Sequence, residues 1–315
     1  MKLENNQIFM SKILITPSSF GQCGQEPLKI LEEKGYDYLN NPYGRRLSEE
    51  ETIELAKDAK GIVAGVENYN KDVLDKLDNL ECISRVGVGM ESIDLEYAEK
   101  KGVKVVNTPN GPTPAVAELS LALCFDLLRQ ISFADRSIRA GEWNKYVGRL
   151  IDNKVVGIVG LGRIGKATAK KYQAVGCEVI AYDLYPDIEW MENNNVKNKG
   201  FEEVLTQSDI ISIHVSSNPD KGALIGNNEL SLLPSEAILI NLARGGVIDE
   251  KDLYEYLKIN SDSYAALDVF ENEPYEGPLQ KLENVLLTPH LGSYAREAKL
   301  GMEIQAVNNL LKEIN

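Results

Sequence analysis

The sequence predicts an α/β protein of two doubly wound domains, each a parallel sheet covered by helices on both faces. Three observations predict it. Short β-branched or apolar runs alternate with longer amphipathic stretches along the chain, the signature of strand–helix–strand units. The runs fall into two series, separated by the turn-rich segment Asn107-Thr-Pro-Asn-Gly-Pro-Thr-Pro. The 315 residues are also enough for two domains at about 150 each.

In chain order, strands are expected at 12–16, 61–65, 82–85 and 103–106, with helices over 49–59 and 71–77 between them. After the turn-rich crossover, 115–140 reads as one long helix or two, opening near Pro114, which suits a first helical position. The second strand series is expected at 155–160, 178–182, 210–214, 237–241, 265–269 and 285–288, with a helix over 251–257. A helical pattern over 294–314 has no strand after it, so a terminal helix is expected to return and pack on the first domain.

Composition narrows the function classes. Hydrophobic residues at 43% and charged residues at 26% are near globular averages, so no disordered or fibrous class is needed. The 34 Lys and Arg against 48 Asp and Glu leave a formal charge of -14, which repels phosphate backbones and anionic lipid. No nucleic-acid or membrane partner is expected. No apolar run approaches the ~20 residues of a membrane span, and the first seven residues lack a signal-peptide core. Met10 would make a natural start, so the first nine residues are expected to be dispensable. Cys23, Cys82, Cys124 and Cys177 lie far apart, which fits reduced thiols in the cytoplasm. With only His214 and His290 as histidines, no metal site is expected.

Chemistry enters with Val155-Val-Gly-Ile-Val-Gly160-Leu-Gly162-Arg-Ile-Gly165. Three glycines follow an apolar strand and open a helix. Gly160 permits the tight turn, Gly162 lets backbone approach a pyrophosphate, and Gly165 lets helix and strand pack closely. The N–H groups of Arg163 and Ile164, at the positive end of the helix dipole, suit the anion. Asp183 ends the next expected strand, where a carboxylate accepts from ribose hydroxyls and repels a 2′-phosphate. Leu184 and Tyr185 follow it, with no arginine for that phosphate, so the expected cofactor is NAD rather than NADP. This is the Rossmann pattern; alone, the three glycines would also fit any tight strand-to-helix turn.

Hydride transfer between nicotinamide and a hydroxyl carbon also needs an anchor for the substrate and a proton acceptor. Arginine grips a carboxylate through its planar fork, and histidine titrates near neutrality beside a carboxylate that stabilises its imidazolium. The last third supplies these in turns after expected strands: Asn241-Leu-Ala-Arg244-Gly-Gly, Asp268-Val-Phe-Glu-Asn-Glu273-Pro and Thr288-Pro-His290-Leu-Gly. In parallel α/β sheets, ligands bind outside such carboxyl ends. Glu271 lies close enough in sequence to compete with Glu273. His214 reads as structural or cofactor-lining rather than catalytic.

With these segments, Arg85-Val-Gly-Val-Gly, Asn107-Thr-Pro-Asn-Gly, Ala117-Glu-Leu and Gly141-Glu-Trp143, the chain resembles the D-2-hydroxyacid dehydrogenase family, and its D-3-phosphoglycerate dehydrogenase branch in particular, over nearly its whole length. The resemblance implies that Arg244 binds the substrate carboxylate and keto oxygen, that His290 is the acid/base, and that Glu273 is its partner. It implies that Asp268 faces the nicotinamide amide and that Val215, Ala243 and Gly292 line the cofactor site. It also implies a flavodoxin-like substrate domain of residues 1–107 and 289–315, into which the NAD-binding Rossmann domain, 108–288, is inserted. Cleft closure over the substrate, and a homodimer formed through the helix after Pro114 and the Trp143 segment, are further implications.

The substrate is less sharply indicated. Arg85, with Val86, Gly87 and Val88, matches the family's substrate loop. Other relatives carry a second arginine where this chain has Ala64, and Gly89-Met90-Glu91-Ser92 departs from the usual pattern. Arg45, Arg46, Lys71, Lys145 and Arg149 are candidate substitutes, each equally readable as a solvated cation. Expected substrates are 3-phosphoglycerate, placing the enzyme in serine biosynthesis, or else hydroxypyruvate, glyoxylate or a related 2-keto acid. A non-catalytic, NAD-binding regulatory protein is the alternative from another class; the joint presence of Arg244, Glu273 and His290 opposes it. Ending at Asn315, the chain is expected to lack a serine-responsive regulatory domain.

Overall fold

The computed structural model describes residues 10–216 and 222–314, so the expected dispensable segment 1–9 lies outside them. The chain forms two compact units, 1–112 with 293–315, and 113–292. It passes between them a few residues beyond the expected 107/108 and 288/289. Thr108 is tied to Gly87 by backbone and side-chain hydrogen bonds, and Leu291 and Gly292 donate to Asp268.

The first unit begins with β1 (Met10–Ile15), α1 (Glu26–Glu33), β2 (Tyr36–Asn40), α2 (Glu49–Ala56) and β3 (Ala59–Ala64). It continues through α3 (Lys71–Leu74), β4 (Cys82–Arg85), α4 (Leu95–Lys101) and β5 (Lys104–Asn107). All five strands are parallel, in the order β2-β1-β3-β4-β5. The central strands are apolar on both sides, as a sheet covered on both faces requires. One face packs Leu14, Ile62 and Ile83 against α2, α3 and α4. The other packs Ile13, Ile15, Val63 and Cys82 against α1 and the final helix (Arg296–Glu313) through Ala306, Val307 and Leu310. That helix therefore returns to the first unit. Ser84 Oγ donates to Ala306 O at 2.7 Å, and Asn309 Nδ2 to Asn107 O at 3.0 Å.

β2 was not expected from sequence. Its Tyr-Asp-Tyr-Leu-Asn run sits at a sheet edge, where partial exposure removes the need for a strong apolar signature.

The second unit opens with α5 (Thr113–Arg129) and α6 (Ile131–Arg139), so the long helical pattern is two helices. Gln130 breaks it, in the left-handed region at φ 52°, and the Asp126 carboxylate accepts from Ser132 N at 2.7 Å to start α6. There follow β6 (Val155–Val159), α7 (Arg163–Ala174), β7 (Glu178–Tyr182), α8 (Ile188–Asn193), β8 (Lys197–Asn198), α9 (Phe201–Gln207) and β9 (Ile210–Ile213). The unit ends with α10 (Asn227–Leu230), β10 (Ile238–Asn241), α11 (Glu250–Ile259), β11 (Tyr264–Leu267) and β12 (Val285–Leu287). Its parallel sheet runs β12-β11-β10-β9-β6-β7-β8. One face is covered by α5, α7 and α8, the other by α9, α10 and α11. Strand order reverses between β6 and β9, which places the glycine turn at the switch point where such sheets bind ligands.

Candidate active site

The glycine turn and the loops after β7, β9, β10, β11 and β12 leave the carboxyl edge of the second unit's sheet. At the glycine turn each glycine has its own reason. Gly160 sits at φ +94°, and a Cβ there would lie 2.7 Å from the backbone of His214. A Cβ on Gly165 would lie 2.0 Å from Gly160 O, so α7 packs on the turn only without one. A Cβ on Gly162 would meet no protein atom within 4 Å, leaving open space before the first N–H groups of α7, those of Arg163 and Ile164. No acidic residue occupies the first turn of this helix. An open cradle at a positive helix end fits a dinucleotide pyrophosphate.

Asp183 closes the turn from β7. Its Oδ2 accepts from Leu161 N at 2.6 Å and its Oδ1 from Tyr185 N at 2.8 Å. A carboxylate has about four acceptor positions, so two remain for ribose hydroxyls. Val215 lies against the same turn, its Cγ1 2.9 Å from the place of a Gly160 Cβ.

His214 turns away from proton chemistry. Its Nε2 pairs with Ser212 Oγ at 2.9 Å, and Ser212 Oγ pairs with Ser120 Oγ at 2.9 Å. Its Nδ1 is buried with no hydrogen-bond partner among the described residues. Burial pushes the imidazole down to about 3, so it is neutral at physiological pH.

The three catalytic candidates come from loops after β10, β11 and β12, which are neighbours in the sheet. After β10, the Asn241 side chain forms a local turn: its Oδ1 accepts from Ala243 N at 3.0 Å and its Nδ2 donates to Arg244 O at 3.0 Å. Arg244 Nη1 donates to Ala243 O at 2.8 Å, which sets the direction of its fork. The loop then presses on the one after β11: a Cβ at Gly245 would lie 1.9 Å from Phe270 O.

After β11 and β12, Glu273 and His290 come together. His290 Nδ1 lies 2.9 Å from Glu273 Oε2 and 3.2 Å from Oε1. A carboxylate only accepts, so Nδ1 is the donor in this contact, and in the neutral imidazole Nε2 is the nitrogen left to accept a proton. Glu273 Oε1 also accepts from Phe270 N at 3.1 Å. Glu271, the sequence competitor, instead donates its backbone N–H to Glu250 Oε1 at 2.7 Å. His290 and Glu273 side chains are 52% and 39% exposed, so the pair faces solvent from one edge.

His290 adopts φ 55°, a left-handed conformation costly for a residue with a Cβ. The segment is held there by Asp268, fully buried at the end of β11. Its carboxylate accepts from Thr288 Oγ1 at 2.6 Å, Leu291 N at 2.6 Å and Gly292 N at 2.7 Å. Burial pushes its pKa up while these three donors pull it back. In the structure Asp268 is an acceptor that clamps the His290 segment from both sides. Sequence reasoning missed this role, and also Asn241, although an Asn two residues before a loop N–H is a recognisable Asx-turn signal.

In the first unit, Arg85 ends β4 and its Nη1 donates to Val86 O. Gly87, at φ +137°, donates its N–H to Thr108 Oγ1 at 2.7 Å, and Val88 O accepts from Asn107 Nδ2 at 2.8 Å. The 85–88 loop is thus pinned by the end of β5.

The arrangement is thus a glycine turn at a switch point and an arginine, glutamate and histidine on adjacent strand ends of one parallel sheet. The chain belongs to the D-isomer specific 2-hydroxyacid dehydrogenase family, whose NAD binding domain matches residues 121–292. It is 39% identical to D-3-phosphoglycerate dehydrogenase of Methanocaldococcus jannaschii over 92% of this chain and 55% of that protein. It is 38% identical to glyoxylate reductase of Thermococcus litoralis over 82% of each. The chain spans about half the length of the phosphoglycerate dehydrogenases it matches. Among solved structures, the TT0316 protein of Thermus thermophilus superposes with a TM-score of 0.87 at 31% identity, covering 95% of this chain and 96% of that one.

Proposed function

We propose that the chain is an NAD-dependent oxidoreductase of a short D-2-hydroxy acid. The observation that carries this reading is the Glu273–His290 contact, which leaves His290 Nε2 as a base on a backbone held by Asp268. NAD, when bound, accepts or returns the hydride. His290 Nε2 takes the hydroxyl proton in oxidation and gives it to the carbonyl oxygen in reduction. Glu273 stabilises the imidazolium through the Nδ1 proton. Arg244 grips the carboxylate and orients the adjacent oxygen. The Asp183 carboxylate repels a 2′-phosphate, which supports NAD over NADP. Arg85, Val86, Gly87 and Val88 are assigned to substrate binding on the motif match alone.

The named relatives support two substrates, D-3-phosphoglycerate, which would place the chain in serine biosynthesis, and glyoxylate. We assign the protein to the cytoplasm on its acidic composition and its four free cysteines. No helix among the described residues is long and apolar enough to cross a membrane. We assign a homodimer to the helical stretch after Pro114 and the Trp143 segment, where Ile131, Ile138, Trp143, Val147 and Leu150 are strongly exposed apolar side chains; sedimentation at micromolar concentration would give twice the chain mass. The function is tested by NADH consumption with glyoxylate, hydroxypyruvate, phosphohydroxypyruvate, pyruvate and 2-oxoglutarate, compared by kcat/KM. Turnover of at least one is expected. Bound NADH without turnover of any would favour a regulatory binding protein.

A further inference from the structure

Within the second unit, the loops that carry Arg244 and Glu273 are fastened to each other by a residue to which the chemistry above gives no part. Glu250 opens α11, the helix into which the Arg244 loop runs. Capping that helix does not need it. The Asp249 side chain accepts from Lys251 N at 3.0 Å and from Asp252 N at 2.9 Å, and so serves the free N–H groups of the first turn. The Glu250 carboxylate is left to reach across to the next loop, where its Oε1 accepts from Glu271 N at 2.7 Å.

Two consecutive N–H groups of the turn after β11 thus go to two different carboxylates. Phe270 N donates to Glu273 Oε1 at 3.1 Å, inside the turn, and Glu271 N donates to Glu250, outside it. The first contact shapes the turn and the second ties it to the start of α11. Beneath them the two loops meet closely: a Cβ on Gly245 would lie 1.9 Å from Phe270 O, and one on Gly246 3.8 Å from Glu271 Cγ. Phe270 stacks on Tyr275 with ring centroids 4.4 Å apart, which holds the base of the turn. Its tip, Glu271, Asn272 and Glu273, is exposed, so packing restrains it little. A hydrogen bond to a charged acceptor is a strong restraint on such a tip.

The surroundings of Glu250 show which of its properties matters. Burial pushes its pKa up, the Glu271 N–H pulls it back, and the neighbouring Glu271, Asp249 and Glu273 carboxylates push it up again. Among these groups a further negative charge is unfavourable, and what the turn uses is an oxygen at the right reach. A glutamine amide offers the same oxygen without the charge.

We propose that Glu250 is a positioning residue of the active site: by holding Glu271 N it locks the turn after β11 to the Arg244 loop and keeps Glu273 facing His290 Nδ1. This role rests on the dehydrogenase reading, in which the Glu273–His290 pair handles the proton. Glu250 acts through Glu273, and a small displacement of such a group costs rate rather than cofactor binding.

The test is NADH-dependent reduction, by the full chain, of whichever acid it turns over best. Glu250→Ala is expected to lower kcat by about tenfold, with the KM for NADH unchanged. The alkaline fall of kcat/KM should also move to lower pH, because an imidazolium whose carboxylate is displaced gives up its proton more readily. Glu250→Gln, which keeps the acceptor oxygen, should restore most of the lost kcat. In Glu250→Ala combined with Glu273→Gln, kcat should be no lower than in Glu273→Gln alone, since one residue acts through the other. Wild-type kcat or an unmoved pH profile in Glu250→Ala, a Glu250→Gln variant equally slow, or losses that multiply in the double variant would each overturn the proposal. If circular dichroism shows that Glu250→Ala does not fold, Glu250→Asp, one methylene too short to reach Glu271 N, takes its place with the same expectations and the same refuting results. Failure of the dehydrogenase reading has a different signature. Wild-type protein would then oxidise NADH with no acid and the proposal would fall with it, whereas a wrong role for Glu250 leaves wild-type turnover intact and shows only in the variants.

Discussion

The two units are built alike and finished differently. Each is a parallel sheet wound on both faces, and each presents polar residues at the carboxyl ends of adjacent strands. In the second unit those ends are a glycine turn at an open helix N-terminus and loops that hold a half-exposed histidine–glutamate pair. In the first they close over a buried glutamate that accepts from a threonine and a backbone N–H. The exposed pair is suited to exchange protons with a ligand. The buried carboxylate has its acceptor positions turned to donors of its own unit. One architecture thus ends in an open polar pair in one unit and a closed polar cluster in the other, and the difference lies in a few loop residues.

That contrast can be broken at several points. His290→Ala should have the largest effect, lowering kcat by about 10²–10⁴-fold for every acid, with NADH affinity retained. Because the loss is uniform, the ratio between acids should not move. Near-normal turnover would sink the acid/base assignment.

Asp268→Asn comes next. An amide cannot accept from all three donors, so the His290 segment should loosen, kcat should fall by about tenfold or more, and stability by about 1–3 kcal/mol. Unfolding and kinetic measurements on the same preparation check this; a variant that lost stability but kept full kcat would separate the clamp from catalysis.

Asp183→Ala should lower the preference for NAD over NADP by roughly tenfold, read as the ratio of kcat/KM values. Affinity for NAD should fall as well, since the variant loses the tie to Leu161 N. Unchanged discrimination would mean that Asp183 only braces the turn.

The last effect concerns acid stability and leaves turnover at neutral pH unchanged. The folded His214 imidazole is held down at about 3, while in the unfolded chain it titrates near its ordinary ~6.5. Between these values the unfolded chain binds a proton that the folded chain refuses. This contribution is therefore complete above about pH 6.5 and is lost as pH falls toward 3. Tm should drop less steeply between pH 6 and 4 in His214→Gln than in wild type, and parallel curves would refute the assignment.

Residues read without coordinates carried the fold a long way, because its signals are local. β-branched runs, the three glycines around Gly162, and the acidic end of β7 depend on neighbours within a few positions. The same holds for the arginine, glutamate and histidine in turns after strands, recognisable by residue type and spacing. What needed tertiary structure were features whose partners are distant or whose signal is weak. β2 is a polar edge strand that only its pairing with β1 reveals. The contact that singles out Glu273 over Glu271 spans 17 residues and depends on how two loops leave adjacent strands. Asp268 clamps a segment more than 20 positions away, and Thr16 donates to a glutamate 51 positions away. A buried carboxylate takes its role from the donors folded around it, and those are set by packing rather than by sequence neighbours.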